Sequence, residues 1–238
     1  MQKYGCGALW CLAVNDKKKE KIAEAERIPT ILSAMRDKTH LLNAKVQHYG
    51  CAALWTLAVN DKNKETIAEA ESIPTILSAM KFNKYNAKVQ HYGCAALGTL
   101  AENEDNKVMI AQGGGITTIL SAMNNHLSNA DVQHYGCGAL GTLAVNENNK
   151  VTIAEAEGIP TILSAMKTHW HNGKVQLYGC AALGTLAENE NNKVTISNAG
   201  GKAAIEAAIR NYSGHAGVRE KGNGALHILT QSGKWSLW

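Results

Sequence analysis

One stretch of this chain returns at a fixed period, and that period decides the architecture. NAKVQHYGCAALWTLAVN (43–60) recurs as NAKVQHYGCAALGTLAEN (86–103), NADVQHYGCGALGTLAVN (129–146) and NGKVQLYGCAALGTLAEN (172–189). The chain opens inside another copy, QKYGCGALWCLAVN (2–15), and closes on a degenerate one, HAGVREKGNGALHILTQS (215–232). Tyr4, Tyr49, Tyr92, Tyr135 and Tyr178 mark the period, with a first step of 45 residues and three of 43, and Lys221 stands where a sixth tyrosine would fall. Self-similarity of this kind marks an array whose units bury their apolar faces against neighbouring copies.

Projected on a helix, Val46, Gly50, Ala53, Leu54 and Leu57 share one face, the stripe of a core-facing helix. The flanks carry Gln47, Cys51 and Ala58 on one side and Tyr49 and Thr56 on the other; His48, Ala52, Trp55 and Val59 face away from the core. So many small residues around one helix predict close packing between two copies of itself. Asn43 is placed to N-cap this helix, and Asn60 to take a left-handed position at its end. After it, KNKETIAEA predicts a short helix with Ile67 and Ala68 inward. PTILSAM predicts a medium one, opened by Ile73-Pro74, with Ile76, Leu77 and Met80 on its apolar face. Each unit is thus a short, a medium and a long helix.

The segments NKxxIAEAxxIPTIL and VQxYGCxALxxLAxN resemble the armadillo repeat family across essentially the whole chain. The resemblance implies an all-α, right-handed α-solenoid, or superhelix, of three-helix armadillo-like repeats. The expected boundaries are an isolated third helix at 1–14, repeats at 15–59, 60–102, 103–145 and 146–188, a degenerate C-terminal capping repeat at 189–231, and an aromatic tail at 232–238. The family is a scaffold that serves many partners, so membership is weak evidence of function.

In armadillo solenoids the third helices line the concave surface, where extended peptides bind. Peptide-binding members carry an asparagine ladder there, some with a tryptophan four residues earlier. Aligned on ALxxLA, the asparagine positions hold Cys11, Thr56, Thr99, Thr142, Thr185 and Ile228, and the tryptophan positions Gly7, Ala52, Ala95, Gly138, Ala181 and Gly224. Neither ladder is present, which counts against clamping of a peptide main chain and against a nuclear-import role. The sequence offers instead Trp10 and Trp55 on the groove floor, with Gly98, Gly141 and Gly184 in their column, either as room for a partner or as residues copied by duplication. The expected groove comprises Trp10, Lys45, His48, Ala52, Trp55, Thr56, Val59, His91, Thr99, His134 and Thr142, strongest toward its N-terminal half.

Lys45, Lys88 and Lys174 open the third helices, with Lys38, Lys84 and Lys167 in the loops before them; Asp61, Glu102, Glu104, Glu147, Glu188 and Glu190 lie at or past their far ends. This predicts one basic and one acidic rim, against the sense of the third-helix dipoles. The row of His48, His91 and His134 reads as a solvated or partner-contacting stripe, because equivalent side chains on stacked helices are too far apart to share a metal ion. Gly113-Gly114-Gly115 reads as a turn requiring positive φ, and His169-Trp170-His171 as a surface loop.

No nucleophile elbow, P-loop or zinc-protease motif appears in the sequence. The expectation is a non-enzymatic protein without metal or cofactor, binding a protein or an extended peptide. An alternative makes the chain a structural subunit that docks through its uncapped first helix or through Trp235 and Trp238. A nucleic-acid-binding solenoid is the weakest reading, since glycines fill much of the column where stacking residues would stand and a net charge of +4 is too mild to argue for it. No apolar run reaches membrane-spanning length, and no signal peptide is expected. The equivalent Cys6, Cys51, Cys94, Cys137 and Cys180 would ride on helices about 8–10 Å apart, beyond the ~7 Å reach of a disulfide. With Cys11 they are expected as free thiols, placing the chain in the reducing cytoplasm, with the nucleus also compatible.

Overall fold

The computed structural model describes residues 27–231. Among them are fourteen α-helices: α1 (Arg27–Arg36), α2 (Ala44–Ala58), α3 (Asp61–Glu69), α4 (Ser72–Phe82), α5 (Ala87–Leu100), α6 (Glu104–Gln112), α7 (Gly115–Asn125), α8 (Ala130–Leu143), α9 (Glu147–Glu155), α10 (Gly158–Thr168), α11 (Gly173–Leu186), α12 (Glu190–Asn198), α13 (Gly201–Asn211) and α14 (Ala216–Thr230). The short, medium and long helices recur in order, as the sequence predicts. Cys6, Cys11, Trp10, the expected first helix and the tryptophan tail lie outside the described residues.

Repeated caps fix the helix starts. Asn43, Asn86, Asn129 and Asn172 accept backbone N–H bonds at the heads of α2, α5, α8 and α11, and His215 does the same for α14. Asn60 is not left-handed: at φ −83° it N-caps α3 and accepts from the Lys62 N–H, because the next helix begins at once. The left-handed turns fall instead between the short and medium helices, at Glu71, Gly114, Glu157 and Gly200. Gly114, at φ +81°, bears out the expected glycine turn.

The layers follow from packing. Long helices stack in the order α2, α5, α8, α11, α14, and medium helices in the order α1, α4, α7, α10, α13. The long-helix stack is in far closer contact than the medium-helix stack, which is what curvature produces when the long helices lie on the inside. The result is the expected α-solenoid of three-helix repeats. Val46, Gly50, Ala53, Leu54 and Leu57 are all buried, as are Ile67, Ala68, Ile76, Leu77 and Met80. Among the described residues one large hydrophobic cluster runs from Ile28 to Leu229, beside a small one of Ala34 and Val46 under Tyr49.

Two devices lock the layers together. Each buried glutamine of the QxYGC motif donates to the end of the medium helix: Gln90 Nε2 reaches the carbonyls of Met80 and Asn83, and Gln133, those of Met123 and His126. Each motif glycine seats a methionine. A Cβ on Gly136 would fall 2.5 Å from Met123 Cγ, and one on Gly93 equally close to Met80. Gly136→Ala is therefore expected to destabilise by about 1–3 kcal/mol through overpacking, despite alanine's better helix propensity. The Gly136→Ala/Met123→Ala double variant should cost less than the sum of its parts, since the new methyl enters the space vacated. Additive losses in chemical denaturation would contradict this contact.

Candidate functional site

Along the inner face the histidines and tyrosines form one continuous stack. Each histidine lies against its own tyrosine and against the tyrosine of the following repeat. His91 sits 4.1 Å from Tyr92 and 4.9 Å from Tyr135, within 10° of parallel to the latter. His48 meets Tyr49 at 4.0 Å and Tyr92 at 5.9 Å, and His134 meets Tyr135 at 4.0 Å and Tyr178 at 5.9 Å. Among the described residues the alternation runs through seven rings from Tyr49 to Tyr178, and it stops where Leu177 replaces histidine.

Trp55 belongs to the same assembly. Its ring lies 6.1 Å from Tyr92 and 5.4 Å, edge-on, from Tyr135, so it reaches from α2 across α5 to α8. It is half-buried and packs on the core. Beside it opens a recess of about 270 Å³ lined by Trp55, Gly98, Glu102, Tyr135, Thr142 and Tyr178, among others. A second hollow, about 350 Å³, is lined by His48, Tyr49, Lys88, His91, Tyr92 and Asp131, among others.

The expected groove residues divide accordingly. Trp55, Thr99, His134 and Thr142 line the first recess, and His48 and His91 the second. Lys45 and Val59 are exposed, and Thr56 is half-buried with its hydroxyl donating to the Ala52 carbonyl. Ala52 and His134 are buried rather than open. The reason is the tyrosine of the next repeat: at the position equivalent to Ala52, a Cβ on Gly138 would lie 3.3 Å from the Tyr178 ring. The glycine column also differs from the expectation of open space. A Cβ on Gly98 would stand 3.2 Å from Ala139 Cα, and one on Gly141, 3.3 Å from Ala182 Cα. These glycines let neighbouring long-helix backbones approach closely.

The acidic rim has a structural use as well. Asp61, Glu104, Glu147 and Glu190 occupy the first turns of α3, α6, α9 and α12, where the helix dipole favours anions. The dipole is therefore complemented there, contrary to expectation. Lys150 Nζ bonds Glu147 at 2.6 Å and Glu188 of the next repeat at 2.7 Å. Lys64 likewise joins Asp61 to Glu102. Burial opposes the charge on Lys64 and Lys150, but their carboxylates outweigh it and raise both pKa values. Lys107, equally buried, meets only Glu104 among the described residues, because Val145 stands where Lys64 finds Glu102 and Lys150 finds Glu188.

The fold is one already seen in solved structures. Two crystal structures of engineered proteins from the Northeast Structural Genomics Consortium superpose with a TM-score of 0.82 each, at 18% and 19% identity over 95% and 98% of the chain. A structure from work on a phosphorylation switch controlling the interaction between cadherin and β-catenin superposes with a TM-score of 0.61 at 17% identity over 97% of the chain. The chain spans 89% of the first engineered protein but only 55% of the second and 49% of the β-catenin-related chain. No protein-family model matches the sequence, and no curated protein matches it closely enough to count as a relative.

The stacked imidazoles have a distinct electrostatic position. Burial lowers the pKa of His48, His91 and His134; nearby Lys88 and Lys45 add to this at His48, and Lys174 at His134, while Asp131 opposes it at His91 and His134. Unfolded, these rings take up protons near about pH 6.5; folded, only at lower pH. Between the two values the unfolded state binds more protons, so the stability they contribute is present above about pH 6.5 and is lost as the pH falls below it. The melting temperature should drop between pH 7.5 and 5.5, and the drop should shrink when all three histidines are replaced by glutamine. An unchanged melting temperature across that range would contradict a neutral stack.

The Cys51, Cys94, Cys137 and Cys180 thiols are free and buried, as expected. Burial pushes Cys51, Cys137 and Cys180 up to about 12, which suits packing and not nucleophilic chemistry. Among the described residues no cluster of side chains is arranged to hold a metal ion, and no helix is long and apolar enough to cross a membrane.

Proposed function

We propose that the chain is an armadillo-type protein-binding scaffold without catalytic activity, and that it engages an extended peptide or partner segment along its long-helix face. The observation that carries this reading is the recess between Trp55, Tyr135 and Tyr178. Large rings stand there around a floor of alanine and glycine, with Glu102 and Thr142 at hand for polar contacts. Interface hot spots are enriched in such aromatic anchors. The helical-repeat fold shared with a β-catenin-related structure agrees with a protein partner. Because the asparagine and tryptophan ladders of peptide-clamping armadillo proteins are absent, side-chain pockets rather than main-chain clamps carry the contact. A cytoplasmic location fits the buried thiols.

The test is selection of binders from a displayed random-peptide library with the full chain, followed by calorimetric titration of one synthetic winner. Trp55→Ala should weaken its binding by about 2 kcal/mol or more. Because Trp55 packs on Tyr92 and Tyr135, the same change should also lower stability, by about 1–2 kcal/mol. Selected peptides that bind Trp55→Ala as tightly as the parent chain would refute this placement.

A further inference from the structure

A second surface adjoins the groove, along the loops that join the medium to the long helices, and shares Lys88 and Asp131 with the hollow beside His48 and His91. Five large apolar side chains stand out from these loops and their margins: Leu42 (76% exposed), Tyr85 (75%), Trp170 (62%), Phe82 (54%) and Leu127 (48%). At that exposure they protrude and do not line a cleft. Their loops are tied to one another. Asn83 Nδ2 donates to the Leu41 carbonyl at 2.8 Å, His126 Nε2 bonds the Lys84 carbonyl at 2.8 Å, and His169 Nε2 the Leu127 carbonyl at 2.7 Å. The internal glutamines also hold each loop from beneath, as Gln176 Nε2 does at the His169 carbonyl, 3.0 Å away. The protruding side chains therefore lie along one pinned edge of the solenoid.

The same edge carries Lys38, Lys45, Lys84, Lys88, Lys167 and Lys174, all exposed, against Asp37 and Asp131. Among the described residues none of these six lysines meets a carboxylate within ion-pair distance, in contrast to Lys64, Lys107, Lys150 and Lys193 on the opposite rim. Lys84 Nζ instead lies 4.9 Å from the centre of the Tyr85 ring. Free cations interleaved with exposed Trp, Tyr, Phe and Leu are the chemistry of attachment to an anionic lipid surface. Ammonium groups meet the headgroups, and the amphipathic rings settle at the boundary with the acyl chains. An acidic peptide would satisfy the lysines but needs a cleft to shelter its apolar contacts, whereas protruding tips on a rigid edge enter a soft surface directly.

We propose that this loop edge docks peripherally on anionic membranes, leaving the recess beside Trp55 free. The test is co-sedimentation of the full chain with vesicles of phosphatidylcholine alone or with a third phosphatidylserine. Binding is expected only to the anionic vesicles and should weaken as salt is raised. Tyr85→Ser/Trp170→Ser and Lys84→Glu/Lys174→Glu should each reduce binding at least about tenfold, with far-UV circular dichroism and melting unchanged, since all four side chains are exposed. No binding to anionic vesicles at low salt would overturn the proposal, as would binding that survives either pair of substitutions. Retention of polyglutamate without vesicle binding would assign the edge to an acidic protein. Self-association lost in the Tyr85→Ser/Trp170→Ser protein, again without vesicle binding, would assign it to a second copy of the chain. Either result overturns the membrane assignment.

Discussion

Replacing Leu140 by alanine is expected to cost roughly 2–5 kcal/mol, from lost burial plus the cavity left behind. Leu140 is wholly buried on α8, which packs against α5 on one side and α11 on the other. In a solenoid, stability is close to a sum of repeat terms and nearest-neighbour terms. The loss should therefore concentrate in the repeats next to α8. Native-state hydrogen exchange on the variant should show protection falling most in α5, α8 and α11, with α2 and α14 less affected. A uniform loss along the chain would mean that the array unfolds as one cooperative body.

Tyr135→Ala should have the largest effect on the inner face. The ring touches His91, His134 and Trp55, and aromatic contacts of this kind contribute about 0.5–1.5 kcal/mol each beyond the area they bury. A loss of about 2–4 kcal/mol in stability is expected, together with a drop in peptide affinity of about 2 kcal/mol or more as the recess loses a wall. Tyr135→Phe separates the two roles, because it keeps the ring and removes only the hydroxyl. It should restore most of the stability and most of the affinity. If Tyr135→Phe binds as poorly as Tyr135→Ala, the hydroxyl and not the ring makes the contact.

The helices and core were legible because the pattern is local and repeated. Val46, Gly50, Ala53, Leu54 and Leu57 fall on one face by helical spacing alone, and all are buried. What the spacing could not show is how one copy meets the next. Ala52 faces away from its own repeat's core yet is buried, because the covering tyrosine arrives from the following repeat. The glycines at 98, 141 and 184 read equally well as groove space; the neighbouring helix backbone that fills it is 41 residues further along the chain. The stack of His48, His91 and His134 had a trace in the sequence, the HY pair returning every 43 residues. It read as a solvated or partner-contacting stripe because single-helix projection places histidine outward and leaves out the tyrosine of the following repeat. Asp61, Glu104, Glu147 and Glu190 looked opposed to a dipole because the next helix, whose first turn they occupy, starts after only two or three residues and was not counted.

Hydrogen exchange on the full chain with and without a selected peptide locates the binding face. Bound peptide should slow exchange in α2, α5, α8 and α11, with the strongest effect around Trp55 and Tyr135, and leave the medium helices α4, α7 and α10 unchanged. Protection confined to the medium helices, or to the loops carrying Leu42, Tyr85 and Trp170, would contradict it.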